Sequence, residues 1–120
     1  MEKYKLGEME MAFADIIWNN APVSSGELVK ICEKEMEWKK STTYTMLKRL
    51  CQRGIFENDG GIVKVLIDRD EFKAAQSEEF IDETFGGSLP MFLTAFTKRN
   101  KLSAKEIEEI RNLIDSYREV

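Results

Sequence analysis

From Glu37 to Gly54 the chain reads EWKKSTTYTMLKRLCQRG. After Glu37 this stretch carries five basic side chains (Lys39, Lys40, Lys48, Arg49 and Arg53) and no acidic one. The 120-residue chain as a whole is acidic, with a formal net charge of -4. Positive charge is therefore gathered on one short segment of an acidic body, beside a row of small hydroxyls. Placed on a helix over 41–53, the segment divides into two faces. Met46, Leu47, Leu50 and Cys51 form an apolar stripe. Ser41, Thr42, Tyr44, Thr45 and Lys48 fall largely on the other side. Gly54 then stands where a left-handed residue closes a helix at low cost.

A face that is polar and uncharged at its start and basic further along suits a recognition helix. Hydroxyls donate or accept at base edges, and threonine methyls can meet thymine methyls. Lysines and arginines at the periphery hold phosphates and fix the register. The helix N-terminus adds a partial positive charge. A blander reading gives Ser41 to Thr43 a capping role only and leaves Lys48, Arg49 and Arg53 as a solvated face and partners of the helix dipole. The order of the flanking elements favours the first reading.

Upstream, the spacing of Met9, Phe13, Ile16 and Ile17, joined by Trp18, predicts a helix over Leu6–Asn20. Asn19-Asn20-Ala21-Pro22 ends it. Ser24-Ser25-Gly26-Glu27 is a capping box, with Ser24 as the cap. It opens a second helix to about Met36, with Leu28, Ile31 and Cys32 inward. Trp38 to Lys40 is a short connector, and Trp38 is expected to pack between the second and third helices. Downstream, Ile55–Glu57 and Ile62–Ile67 read as strands separated by Asn58-Asp59-Gly60-Gly61, a hairpin signal. Helix, helix-turn-helix and hairpin in that order make a winged helix.

The tail is helical again. One segment runs from Asp70 to about Thr84 and is broken at Gly86-Gly87; a second covers Ser88–Lys98. A capping box at Ser103-Ala104-Lys105-Glu106 opens a last helix that carries Ile107, Ile110, Leu113, Ile114 and Tyr117. The fold class is thus mainly α with a small β-hairpin: a winged helix-turn-helix domain over 1–69 and a three-helix dimerisation domain over 70–120. Ile107, Ile110, Ile114 and Tyr117 form one seam for a twin helix, and Leu89, Leu93 and Phe96 a second stripe.

Composition narrows the function. The chain has no histidine, which removes Ser-His and Cys-His catalysis and every histidine-ligated metal site. No metal cluster, phosphate loop or cofactor motif is legible, so neither an enzyme nor a cofactor is expected. Cys32 and Cys51 lie inside helices without a spacing motif and read as small buried hydrophobes in a reducing compartment. Met1-Glu2-Lys3-Tyr4-Lys5 leads into an acidic amphipathic pattern and not into a signal peptide. No apolar run approaches the roughly 20 residues that span a bilayer. A cytoplasmic location is expected. The acidic body argues against strong non-specific DNA affinity.

Several stretches together carry a resemblance. EMEMAFADIIW (Glu8–Trp18), the tryptophan of EWKKST, TTYTMLKRLCQRG (Thr42–Gly54), FGGSLPMFLTAF (Phe85–Phe96) and LSAKEIEEIRNLI (Leu102–Ile114) occur in order along nearly the whole chain. In this the chain resembles the penicillinase/methicillin-resistance repressor family (the BlaI/MecI/CopY group). The resemblance implies a homodimeric winged-helix repressor that reads pseudo-palindromic double-stranded operators and dimerises through its three C-terminal helices. It implies DNA contacts at Thr42, Tyr44 and Thr45. It also marks Arg49 as a shared position, either on phosphate or propping the helix by a salt bridge, with a structural share favoured. Lys39, Lys40, Ser41, Lys48 and Lys64 complete the candidate DNA-binding set.

Two departures from the family pattern matter. In β-lactam-responsive members a membrane-bound sensor leads to cutting of the repressor before a phenylalanine, commonly preceded by asparagine. The aligned bond here is Ala95–Phe96, and the favoured reading of Phe96 is a dimer-core aromatic. The wing tip is Asn58-Asp59-Gly60-Gly61 with only Lys64 nearby, so Asp59 is expected to repel phosphate and the wing to add little affinity. Copper-responsive members carry a C-terminal cysteine cluster. Here the sequence reads Ser116-Tyr117-Arg118-Glu119-Val120, so copper sensing by that route is not expected. Two other readings remain open: a PadR-like regulator that senses a small aromatic ligand, and a winged-helix protein-interaction module without DNA binding.

Overall fold

The computed structural model describes residues 4–117. Met1 to Lys3 and Arg118 to Val120, on which part of the leader and tail readings fall, lie outside the described residues. The elements are α1 (Glu8–Asn20), β1 (Val23–Ser24), α2 (Ser25–Met36), α3 (Lys40–Gln52), β2 (Phe56–Asp59), β3 (Ile62–Val65), α4 (Arg69–Phe85), α5 (Leu89–Arg99) and α6 (Ala104–Asp115). Three helices, then a hairpin, then three helices is the expected winged helix followed by a helical part.

Local chemistry sets most boundaries. The Ser24 Oγ accepts from the Glu27 amide at 3.1 Å and starts α2. Glu37 adopts a left-handed conformation (φ 56°) and stops it. Gly54, at φ 78°, turns the chain out of α3 into the sheet. The hairpin is tighter than the sequence predicts. β2 continues through Asn58 and Asp59, and only Gly60 and Gly61 remain as the loop, with φ of 60° and 94°. Two consecutive positive φ values match a two-residue turn whose twist agrees with that of the strands.

One element has no local signal. β1 is two residues long and pairs antiparallel with β3, Val23 opposite Val63 and Ser24 opposite Ile62. The sheet order is β1-β3-β2. Val63 is fully buried, but Val65, two residues on and on the same face, is exposed beside Ala21 and Pro22, beyond the end of β1.

The core draws on every element of the winged helix. Phe13, Ala14 and Ile17 of α1, Leu28 and Cys32 of α2, Leu50 of α3, and Ile55, Phe56 and Val63 of the hairpin region are completely buried. The α3 stripe is displaced slightly from its expected position: Thr43, Leu47 and Leu50 are buried, while Met46 and Cys51 are half-buried. Trp18 bridges the core to the chain beyond the hairpin. Its ring lies 5.4 Å from those of Phe56 and Phe72, and its Nε1 donates to the Ile67 carbonyl at 3.0 Å. Trp38 packs on Phe13 of α1, with ring centroids 5.3 Å apart, so the connector is anchored to the first helix.

By compactness the chain divides after Glu79, inside α4, whereas the sequence set the boundary after residue 69. Phe72 is the physical reason. It is completely buried in the winged-helix core and meets Tyr4 edge to face at 5.7 Å. The backbone of Tyr4 is held from α4 as well: its N–H donates to Glu79 at 3.2 Å, and its carbonyl accepts from Gln76 at 3.1 Å.

The second unit begins at Phe80. Gly86 and Gly87 (φ 58° and 84°) separate α4 from α5. Ser88 caps α5, and a reciprocal box between Ser103 and Glu106 caps α6. Phe92 meets Phe85 at 5.6 Å and Phe80 at 6.1 Å in edge-to-face geometry, and Phe96 continues the row. No residue of α5 or α6 is buried.

Candidate nucleic-acid interface

α3 turns by about 100° per residue. With Thr43, Leu47 and Leu50 inward, the row Ser41, Thr45, Lys48 and Gln52 points away from the core. Thr42 and Arg49 flank it on one side and Tyr44 on the other. Ser41, Thr42, Tyr44, Thr45, Lys48, Arg49 and Gln52 are all exposed, as are Lys39 and Lys40 at the start of the helix. No acidic residue stands in the first turn, so the positive end of the helix dipole is not offset there. Ser41, Thr42, Thr45, Met46 and Arg49 line a shallow concavity of about 240 Å³.

The basic residues divide by environment. Lys39, Lys40 and Lys48 are exposed at the start and along the outward row. The Arg49 guanidinium lies 3.8 Å from the Met46 sulfur and makes no ion pair among the described residues. Arg53 is diverted: it bonds the Lys5 carbonyl and ties the end of α3 to the N-terminal segment. Lys64 is on β3, where its Nζ lies 2.9 Å from Asp59 Oδ2. That ion pair holds the Asp59 carboxyl below its ordinary range and the Lys64 ammonium above its own. Both side chains are exposed, so the pair shapes the charge of the wing more than its stability.

The hairpin runs along the Tyr44 side of α3. The Asn58 backbone lies beside the Cys51 thiol, on that flank. Burial raises the Cys51 thiol pKa, with the Asn58 backbone contact opposing the shift. Cys32 is likewise raised by burial, opposed by the Thr43 hydroxyl beside it. Apart from this sulfur neighbour, Thr43 Oγ1 is buried without a hydrogen-bond partner among the described residues.

Two residues of this surface went unread in the sequence. Gln52 lies on the outward row, and its carboxamide is of the type that can read adenine; continuing the helical period through residue 52 finds it. Ser25 appeared only as a residue inside a capping motif. Its hydroxyl accepts from Tyr44 Oη at 3.1 Å. That pairing joins residues 19 positions apart and has no local signature.

The predicted tail residues form two surfaces. Leu89 (55% exposed), Phe96 (44%) and half-buried Leu93 are on α5. Ile107, Ile114 (53%), Tyr117 (78%) and half-buried Ile110 are on α6 and just beyond it. Ala95 and Phe96 lie inside α5, and the Phe96 carbonyl accepts from the Asn100 amide at 3.1 Å. No described helix is long and apolar enough to cross a membrane.

A helix-turn-helix with an outward basic and hydroxylated second helix, a hairpin beside it and a helical extension defines a winged-helix regulator. Residues 6–116 match the penicillinase repressor family, and the chain belongs to that family. Its members are repressors and not enzymes. The chain is 26% identical to a methicillin resistance regulatory protein, MecI, of Staphylococcus aureus over 116 residues, covering 93% of this chain and 94% of that protein. It is 23% identical to the penicillinase repressor of Bacillus licheniformis over 118 residues (95% and 92%) and 25% identical to that of Staphylococcus aureus (95% and 94%).

Proposed function

We propose that the protein is a dimeric transcriptional repressor that binds a pseudo-palindromic operator through the recognition helix at 41–53. The observation that carries this reading is the α3 surface: eight exposed hydroxyl, amide or basic side chains on a helix that has no acid in its first turn. Ser41, Thr42 and Thr45 face base edges, Lys39, Lys40, Lys48 and Arg49 meet phosphates, and Lys64 approaches the backbone from the wing. Occupying a promoter is sufficient to block polymerase.

The dimer follows from what the tail leaves uncovered. Leu89, Phe96, Ile114 and Tyr117 are large apolar groups open to solvent in the single chain, and no residue of α5 or α6 is buried. A second copy covers such a face. Two winged helices on one axis double the contacts and require a two-fold operator. Any signal that separates the tails releases the operator. Proteolysis at Ala95–Phe96, directed by a membrane-bound sensor, is one such signal. Because that bond lies inside a helix, cutting it first requires α5 to unwind.

Fluorescence anisotropy on the DNA upstream of the protein's own gene, against a scrambled fragment and across a salt series, tests the reading. Sequence-dependent binding that weakens with salt, at two chains per site, is the expected result. Equal affinity for both fragments, or a flat response to salt, sinks it.

A further inference from the structure

Ser25 opens α2 and bonds to two different elements. Its backbone N–H donates to the carbonyl of Gly61 in the wing turn at 2.8 Å. Its Oγ accepts from the Tyr44 hydroxyl on α3 at 3.1 Å. One half-buried residue thus stands between the two elements that approach DNA. It is itself held firmly. Ser24, the preceding residue, caps α2 and pairs with Ile62 in the sheet, so the helix start and the strand register are both fixed one residue away. The Ser25 hydroxyl takes no part in that cap.

Tyr44 has reason to need a tether. It lies one helical turn from both Ser41 and Lys48, and its side chain is 37% exposed. A ring on two soft torsions at that position can lie over either neighbour. Bonded to Ser25, it is held on the wing flank, and the row Ser41, Thr45 and Lys48 stays open.

The geometry points to Ser25 as the positioning residue that sets the recognition helix against the wing, acting through Tyr44 to decide which α3 groups reach the base edges. This rests on the DNA-binding reading above, and the experiment separates the two. The full chain is compared as wild type, Ser25→Ala, Tyr44→Phe, the double variant and Ser25→Thr. For each, binding to the upstream fragment and to scrambled DNA is measured across salt, together with the melting temperature.

Loss of one hydroxyl partner is expected to lower the preference for the upstream fragment by about 3- to 10-fold in each single alanine or phenylalanine variant. The double variant should fall no further than Tyr44→Phe alone, because one bond is removed only once. Ser25→Thr keeps a hydroxyl and should restore the preference. The salt slope should stay unchanged, since no phosphate contact is lost. Additive losses would show that Tyr44 acts independently of Ser25. A neutral Ser25→Ala, or a loss that Ser25→Thr does not rescue, likewise overturns the positioning role. If wild type shows no preference between the fragments, the DNA-binding reading fails and this role fails with it.

Discussion

Lys64 Nζ stands 2.9 Å from Asp59 Oδ2, so the single basic side chain of the hairpin faces an acid of the same hairpin. Neutralising that acid should release the charge of the wing. Asp59→Asn is expected to raise affinity for random-sequence duplex by about 2- to 5-fold at low salt and to steepen the salt slope by about one; Asp59→Lys should raise it further. An unchanged slope in both would mean that the tip stands clear of DNA.

The same pair predicts a pH window. Asp59 is held below its ordinary value of 3.8, so the pairing is complete above that value and is lost as pH falls through the depressed one. Lys64 is raised above 10.5, so the pairing is complete below that value and is lost only as pH climbs through the raised one. The ratio of Asp59→Asn to wild-type affinity should therefore be the same at pH 6 and pH 8. A ratio that changes between those two values would place another titrating group at the wing.

Arg49 rests on the Met46 sulfur and makes no ion pair among the described residues, so nothing shows it propping α3 electrostatically. Arg49→Ala should weaken operator binding by about tenfold and lower the salt slope by about one. The melting temperature should hardly move. A clear drop in melting temperature with an unchanged salt slope would return Arg49 to a structural role.

Phe72 carries the start of α4 into the winged-helix core. Phe72→Ala is expected to cost about 3–5 kcal/mol of stability for the first unit, measured by denaturant unfolding. A chain ending after Glu79 should give a dispersed NMR spectrum, whereas one ending after Arg69 should not. If the shorter chain folds equally well, α4 contributes nothing to that core.

Ile114 is more than half exposed in the single chain, on the α6 seam. Ile114→Asp should shift sedimentation toward the monomer and reduce operator affinity at least about tenfold, by removing the second contacting module. Unfolding of the winged helix should be unaffected. A variant that stays dimeric would place the dimer contact on another surface.

The local features of the fold were legible because their causes are local. Ser24 and Ser103 cap helices through residues three positions away, and the Gly60-Gly61 and Gly86-Gly87 pairs supply backbone conformations that other residues resist. The spacing of apolar residues marked the helices, and the outward face of α3 followed from its period. Its hydroxyls and lysines are exposed where that period places them.

Relations across long sequence separations were decided by tertiary structure. β1 exists only because Val23 and Ser24 meet Val63 and Ile62. Phe72 joins the first core because Trp18 and Tyr4 enclose it. Charge and hydroxyl count showed none of the partners of Arg53, Lys64 and Tyr44, yet Arg53 bonds the Lys5 carbonyl, Lys64 pairs with Asp59 and Tyr44 bonds Ser25. The sequence by itself determined which residues form helices and which face of α3 is polar, since both depend on neighbours a turn away. Which of those polar groups remain available to a ligand depends on partners brought near by folding, and only the tertiary structure decides that.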